Sequence, residues 1–447
     1  MKFNNPKEEW KIIKLKDAVE VFTGFPFKSK SYIEDENRGI KVIRGENVSE
    51  GFIRWDRQRS WPEITPNLEK FMVQRYDIVI GMDGSKIGKN KSIVNTNETF
   101  LLAQRVARLR TKDSSLLEQK FLAISVIKGN KFLNYVNTIR TGTSIPHISI
   151  KQIENYEIVL PPIQTQYKIS HIISALDDKI ELNRKMNQTL EEMAQALFKS
   201  WFVDFDPVHV KMGCANDEEL EVAARELGIS KEVLELFPSK FEESELGMIP
   251  KGWSSSDLGY IFTERKEKVK DRTDVSVMSV IQTGELVNPK DVFSKQVHSA
   301  DISKYKLVYP LDLGYNPSRI NIGSAGFNKS KSFGAMSPVY TVMQFQDTKF
   351  HPFMELFMKQ GSTKKWINTL ASGSVRQSLS QNDFLSIPVV IPSDRILNKF
   401  NSIYTAFHDS ISSKNQEILT LENTRDTLLP KLLSGELDVS ELEMETL

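Results

Sequence analysis

Gln164–Phe202 reads QTQYKISHIISALDDKIELNRKMNQTLEEMAQALFKSWF. Within it, Ile169, Ile173, Leu176, Ile180, Asn183, Asn187, Leu190, Ala194, Leu197 and Trp201 recur at alternating spacings of four and three. That is a heptad seam, the pattern by which two helices wind around each other. Adding 231 to each number gives Phe400, Tyr404, Phe407, Ile411, Lys414, Ile418, Leu421, Arg425, Leu428 and Leu432, a second seam in the same phase. The spacing therefore predicts a second long helix over Asp394–Leu433. Two such helices separated by a domain-sized segment suggest an antiparallel intramolecular coiled coil, with residue 169 facing residue 432.

The same offset organises what precedes each helix. Thr141-Gly142-Thr143-Ser144 falls on Ser372-Gly373-Ser374-Val375, and His147-Ile148-Ser149 on Ser378-Leu379-Ser380. Ile158-Val159-Leu160-Pro161 falls on Val389-Val390-Ile391-Pro392. Each copy reads as a small-residue loop, a short helix (Ile150–Asn155, Asn382–Leu385), an apolar strand, a proline and the long helix. Proline cannot continue a ladder but readily precedes a helix. Short β-branched runs predict strands at Ile40–Ile43, Asp77–Ile80 and Gln104–Leu109, and in the second half at Val275–Ile281, Tyr305–Val308 and Val339–Gln344. Amphipathic runs predict helices at Leu116–Lys128, Asn216–Leu227 and near Pro352–Lys359.

The fold class expected is thus α+β: two mixed α/β heads separated by two long helices in an antiparallel coiled coil, with a pseudo-two-fold internal repeat. The expected organisation is a first head over 1–160, a helix over 161–204 and an acidic linker over 205–250. A second head over 251–392, a helix over 393–435 and an acidic tail over 436–447 follow.

A chain of 447 residues suits two or three cores, and 40% hydrophobic with 26% charged residues is a globular profile. The lack of an 18-residue apolar run or a signal-peptide core predicts no membrane association. One cysteine, Cys214, excludes internal disulfides and points to a reducing cytoplasm. The net charge of +1 conceals a segregation. Residues 1–163 carry 27 basic against 19 acidic side chains, and 250–392 carry 18 against 12. The linker 205–249 carries 4 against 11, and 393–447 carries 5 against 10. Positive charge confined to the heads is what a polyanion-facing protein shows.

Trp201–Val208 (WFVDFDPV) and Leu236–Trp253 (LFPSKFEESELGMIPKGW) closely resemble the central region of specificity subunits of type I restriction–modification enzymes. Lys41–Gly51 (KVIRGENVSEG), Tyr76–Lys89 (YDIVIGMDGSKIGK) and Gln104–Arg110 (QRVARLR) carry the resemblance in the first head. Tyr305–Gly323 (YKLVYPLDLGYNPSRINIG) and Met336–Val342 (MSPVYTV) carry it in the second, and Leu428–Leu437 (LLPKLLSGEL) at the end. The likeness implies a non-catalytic subunit whose two target recognition domains each read one half of a split, asymmetric site in double-stranded DNA. It implies that the helical pair docks two methyltransferase subunits, and that restriction subunits complete the enzyme. A longer acidic insert around Gly213–Ser230 departs from the commonest central pattern. By this reading the helices, each about 58 Å long at 1.5 Å per residue, set the spacing between half-sites, so deleting a heptad from both should change it.

Base and phosphate contacts are expected from loops carrying Arg, Lys, Asn, Gln and small hydroxyl residues. In the first head these are Arg44 and Asn47; Arg54, Arg57 and Arg59 around Trp55; Ser85, Lys86 and Lys89; and Arg140, Thr141, Thr143 and Ser144. In the second they are Asn316, Ser318 and Arg319; Lys329, Lys331, Lys364 and Lys365; and Ser374, Arg376 and Gln377. Asn183 and Asn187 read either as a wet polar layer or as register control, the latter setting Asn187 against Lys414. Phe198 and Phe202, off the seam, read as exposed surface for the methyltransferase partner.

The chain offers neither a cofactor motif nor a metal motif. Gly84 and Gly88 enclose three residues where a phosphate-binding loop needs four, and Asn90 follows Lys89. His209 and Cys214 are two ligands, too few for zinc. Glu264-Arg265-Lys266 resembles a scrap of a nuclease motif without its partner strand, and the Asn/Asp-Pro-Pro-Tyr motif of adenine methyltransferases is missing. The rival readings are an adaptor whose paired helices scaffold other proteins and a standalone nuclease or methyltransferase.

Overall fold

The computed structural model describes residues 10–33, 38–128, 130–141, 146–280, 286–287, 301–371 and 378–442. The chain divides into two compact units, Met1–Arg184 with Asn415–Leu447, and Lys185–Lys414. Two helices contribute to both: a first long helix, Ile163–Phe202, and a second, Asp394–Ser434.

In the first unit the opening strand Lys11–Lys14 pairs antiparallel with Glu157–Leu160, Lys11 facing Leu160. This closes the head on itself just before the first long helix. A four-stranded antiparallel sheet follows in the spatial order Val19–Thr23, Val106–Thr111, Ile78–Gly81, Lys91–Ile93. A second sheet has the order Ser60–Trp61, Ile40–Ile43, Phe100–Leu102, Met72–Val73, and Ile40–Ile43 runs parallel to Phe100–Leu102. Helices Gln119–Ile127 and Lys131–Ile139 cover the first sheet, burying Phe121, Leu122, Phe132 and Val136 in one cluster with Ile78, Ile80 and Leu109.

The second unit repeats this topology. Ser254–Asp257 pairs with Pro388–Ile391 as Lys11–Lys14 does with Glu157–Leu160. The order Phe262–Glu264, Thr341–Phe345, Leu313–Tyr315, Ala325–Phe327 matches the first sheet strand for strand. In the companion sheet, Gly334–Met336 lies between a parallel neighbour, Ser276–Val277, and an antiparallel one, Lys306–Val308. Shifted by 231, helix Ile150–Glu154 lands on Gln381–Leu385 and strand Glu157–Leu160 on Pro388–Ile391. The caps repeat as well: Ser149 accepts from the Gln152 amide and Ser380 from the Asp383 amide, each satisfying an orphan donor of the first turn.

The acidic stretch folds as three helices, Asp206–Gly213, Asp217–Glu226 and Lys231–Glu235, and a hairpin of Phe241–Ser244 with Gly247–Pro250. Leu220, Ala223, Ala224 and Leu234 form its small core. The strand expected over Val275–Ile281 is instead two two-residue strands, Ser276–Val277 and Ser279–Val280, pairing with different partners.

The helices pair antiparallel. In the first unit Ile169 and Ile173 share a cluster with Leu429 and Leu432. In the second, Ala194, Phe198 and Trp201 share one with Ile396, Leu397 and Phe400. Facing 169 with 432 places 201 against 400, and the Trp201 and Phe400 ring centroids are 6.1 Å apart. Lys179–Glu417 (3.4 Å) and Arg184–Glu422 (2.7 Å) flank the seam, and Arg425 of the seam reaches Asp177 (2.9 Å). By that register Asn187 lies level with Lys414.

Phe198 and Phe202 are corrected by the structure. They are 1% and 7% exposed, their rings 5.1 Å and 5.0 Å from those of Phe353 and Phe400. The head packs over this flank of the helix, so aromatic side chains off the seam are core, not docking surface.

Asn183 is 0% exposed, and neither amide atom finds a hydrogen-bond partner among the described residues. A buried polar group without a protein partner costs stability, while an apolar replacement of similar size recovers it. Asn183→Leu is expected to raise the urea-unfolding free energy by about 1–3 kcal/mol. An unchanged or lowered midpoint would show that the amide is stabilising where it stands.

Candidate nucleic-acid interface

In the first unit three loops leave the sheets on one side. The turn after Ile40–Ile43, the loop after Ile78–Gly81 and the turn between Phe100–Leu102 and Val106–Thr111 line a cleft of about 640 Å³. Its walls include Tyr32, Arg44, Glu46, Arg54, Asp83, Ser85, Lys86, Gln104 and Arg105. The Arg140 loop joins them: the Gly84 amide donates to the Pro146 carbonyl (3.0 Å), and His147 bridges to both Asp83 and Thr141. Sequence-distant loops thus meet in one place. Thr143 and Ser144 lie outside the described residues.

The first loop is built from its own polar groups. Asn47 is 0% exposed, its Oδ1 accepting from the Arg44 amide (3.1 Å) and its Nδ2 donating to the Arg54 carbonyl (3.0 Å). It holds the loop and is not available to a base edge, which corrects the expectation for it. Arg44 is also engaged, with Glu46 at 2.6 Å, the Arg57 carbonyl and the Tyr32 ring. Arg54 donates to the Glu46 carbonyl at 2.7 Å. Arg57 and Arg59 remain exposed beside Trp55, which stacks on Phe100 at 5.1 Å. Ser85, Lys86, Lys89, Arg140 and Thr141 are exposed as well. Gly88 has φ +83°, and a Cβ there would meet Leu133 and Val136, so the loop Lys86–Lys89 closes only around glycine.

Of the motif Gln104–Arg110, the alternate residues Arg108 and Arg110 turn inward. Arg108 meets Glu20 (2.5 Å) and the Met72 carbonyl (2.9 Å), and Arg110 forms a two-pronged pair with Asp77 (2.8 and 2.6 Å). Gln104 and Arg105, read from sequence as the start of a strand, are instead exposed at the cleft.

In the second unit the Asn316–Arg319 turn follows the strand Leu313–Tyr315, the Asn316 Oδ1 accepting from the Ser318 amide (3.1 Å). The Leu379 amide donates to the Pro317 carbonyl (3.0 Å), which ties the segment ahead of the short helix to this turn; in the first unit the turn's Gly84 is instead the donor, to Pro146. Ser318, Arg319, Lys331, Lys364 and Lys365 are exposed, the last two beside Trp366 on the helix Gly361–Leu370. Ser374, Arg376 and Gln377 lie outside the described residues.

Lys329 differs from its expected role. It forms an ion pair with Glu355, which is 5% exposed and also accepts from the Tyr404 hydroxyl. Burial alone would raise the Glu355 carboxyl, but Lys329, Tyr404 and His351 outweigh it and hold its pKa below the usual value. Burial holds His351 below its usual pKa against the pull of Glu355, with Lys329 and His408 adding to the lowering. Folded His351 therefore refuses a proton that the unfolded chain accepts. Stability is expected to fall as pH drops through about 6.5, with a slope of up to about 1.4 kcal/mol per pH unit. Glu355 keeps its contribution to lower pH, losing it only below its own depressed value. His351→Gln should flatten the near-neutral slope in thermal midpoints measured from pH 7.5 to 5.5, and an unchanged slope would contradict this assignment.

Other motifs resolve as structure. Arg265 pairs with Asp312 (2.6 and 3.1 Å) and Glu264 with Lys306, so the nuclease-like triplet is a scaffold. His209 packs on Phe241, and the Cys214 thiol faces the Val210 carbonyl. Among the described residues no three His, Cys, Asp or Glu side chains gather as a metal site requires, and no helix is long and apolar enough to cross a membrane.

Residues 7–192 match the family model for the type I restriction modification DNA specificity domain. The type I restriction enzyme HindI specificity subunit of Haemophilus influenzae is 27% identical over 416 residues, spanning 83% of this chain and 89% of that protein. The type I restriction enzyme MjaIX specificity subunit of Methanocaldococcus jannaschii is 26% identical over 97% of this chain and 95% of its own. Residues 7–192 thus match the DNA specificity domain, and along most of its length the chain is similar to specificity subunits of type I restriction enzymes. The crystal structure of a type I S subunit from M. genitalium shares the fold, with a TM-score of 0.56 at 15% identity over 97% of this chain and 98% of that one. A DNA specificity domain over residues 7–192 fits a DNA-binding role. The exposed lysines, arginines and hydroxyls around the cleft suit that task. Cations on exposed loops meet phosphates, and polar side chains at a groove read base edges.

Proposed function

We propose that this chain is a non-catalytic specificity subunit of a type I restriction–modification enzyme, reading a bipartite, asymmetric site in double-stranded DNA, one half through each unit's target recognition domain. The observation that carries the reading is the repeated topology. Each unit has the same four-stranded sheet, and in each the turn after the third-ranked strand is hydrogen-bonded to a residue just ahead of the short helix, Gly84 to Pro146 and Pro317 to Leu379. Because the loop sequences differ, the two half-sites differ. The paired helices dock two methyltransferase subunits, and restriction subunits join the full complex in the cytoplasm. The spacer between half-sites follows the length of the two helices.

The test is co-expression with an adenine methyltransferase subunit of the same enzyme class, followed by genome-wide profiling of adenine methylation. The expected result is a stable complex and methylation at a single split sequence. Methylation without sequence preference, or failure to form the complex, would favour the adaptor reading.

A further inference from the structure

We propose that Arg105 is a base-reading residue of the first unit, recognising a guanine in its half-site; this rests on the DNA-reading role proposed above. Arg105 sits in the turn between strands Phe100–Leu102 and Val106–Thr111, with φ +65°. The turn is fixed by three backbone hydrogen bonds: Met82 amide to Arg105 carbonyl (2.9 Å), Gln104 amide to Phe25 carbonyl (2.9 Å) and Val106 amide to Ala103 carbonyl (3.3 Å). A bulky residue in the left-handed region is strained, and glycine would make the same turn without that cost. Strain of this kind gathers where a side chain has a task. The backbone gains nothing from arginine here, so the guanidinium is the reason for it.

The side chain is placed for such a task. It is 68% exposed, and Nη1 donates to the Asp83 carboxylate at 2.9 Å. That single anchor holds the guanidinium of a cleft-lining residue and leaves its Nε–Nη2 edge without another partner among the described residues. A planar two-donor edge matches guanine O6 and N7 in the major groove, which the point charge of neighbouring Lys86 does not. The other two arginines of the cleft, Arg44 and Arg54, have side chains 21% and 40% exposed and are tied to Glu46 and to backbone carbonyls. In the second unit the corresponding turn, between Gly334–Met336 and Thr341–Phe345, carries Ser337-Pro338-Val339, with Val339 64% exposed. The arginine therefore distinguishes one half-site from the other.

The experiment assembles the full complex with its methyltransferase subunits and profiles methylation for the wild type, Arg105→Lys and Arg105→Asn. Asparagine tolerates the left-handed backbone, and thermal midpoints confirm that both variants fold. Both are expected to relax discrimination at one G·C pair of one half-site by about ten- to a hundred-fold, with the other half-site unaltered. A selective wild type with variants that keep every base preference, or lose modification evenly at all positions, overturns the assignment while leaving the DNA-reading role intact. A wild-type complex that methylates without selectivity overturns both.

Discussion

Replacing Asp77 by alanine is expected to destabilise the protein by about 3–5 kcal/mol, because a half-buried Arg110 guanidinium then loses its counter-charge. Asp77 is 1% exposed, and its two oxygens accept from Arg110 Nε and Nη2 while one also accepts from the Gln74 amide. The residue immediately precedes the strand Ile78–Gly81 that delivers the Asp83–Lys89 loop to the cleft. The effect should therefore reach function as well as stability. Urea unfolding would report the loss. Asp77→Ala together with Arg110→Met should recover much of it, since a matched apolar pair leaves no charge uncompensated. If the double variant is as unstable as the single one, the ion pair is not the cause.

Trp201→Ala is the counterpart in the second unit, with an expected loss of about 3–5 kcal/mol from cavity formation. Trp201 is 1% exposed, its ring centroid 5.0 Å from that of Phe237 in the acidic insert and 6.1 Å from that of Phe400 on the second long helix. One side chain thus joins the end of one helix, the start of the other and the insert. Trp201→Phe, which keeps most of the apolar volume, should lose much less. Equal losses for the two substitutions would mean that the indole is not packed as described. The loss should also weaken assembly with methyltransferase subunits, which is measurable by co-purification of the same two variants.

The long helices and their pairing were legible in the sequence because heptad spacing is a direct image of helix geometry. Every seam position from Ile169 to Trp201 is buried or half-buried, and most of the intervening side chains are exposed. The 231-residue offset likewise carried the short helices and the closing strands, since their capping serines and apolar runs repeat. Helix Lys131–Ile139 and its counterpart Gly361–Leu370 were not legible. Neither has a side-chain cap, and their buried residues are few, Phe132 with Val136 and Thr363 with Ile367. The flanking aromatics at Phe198 and Phe202 misled because a seam says which face meets the partner helix. It does not say which other face a head will cover.

At the candidate interface the loops were legible and the individual roles were not. Glycine, hydroxyl and basic residues mark loops near phosphate, but Asn47 and Arg44 have the same chemistry whether they face DNA or hold a turn. Only the folded positions separate them: Asn47 inside, Arg44 bound to Glu46, Lys329 neutralising Glu355. Arg105 was missed for the opposite reason. It lies in the run QRVARLR, whose alternation reads as a strand, and a left-handed φ leaves no mark in sequence when the residue is not glycine or asparagine.

If the two units read separate halves of one site, exchanging one unit's recognition domain should change one half alone. Residues 1–160 would be replaced by the corresponding segment of a type I specificity subunit of known site, and the complex profiled by adenine methylation. One half of the split sequence is expected to change to the donor's and the other half to be retained. A chimera that folds and assembles yet changes both halves, or neither, would contradict that division between the units.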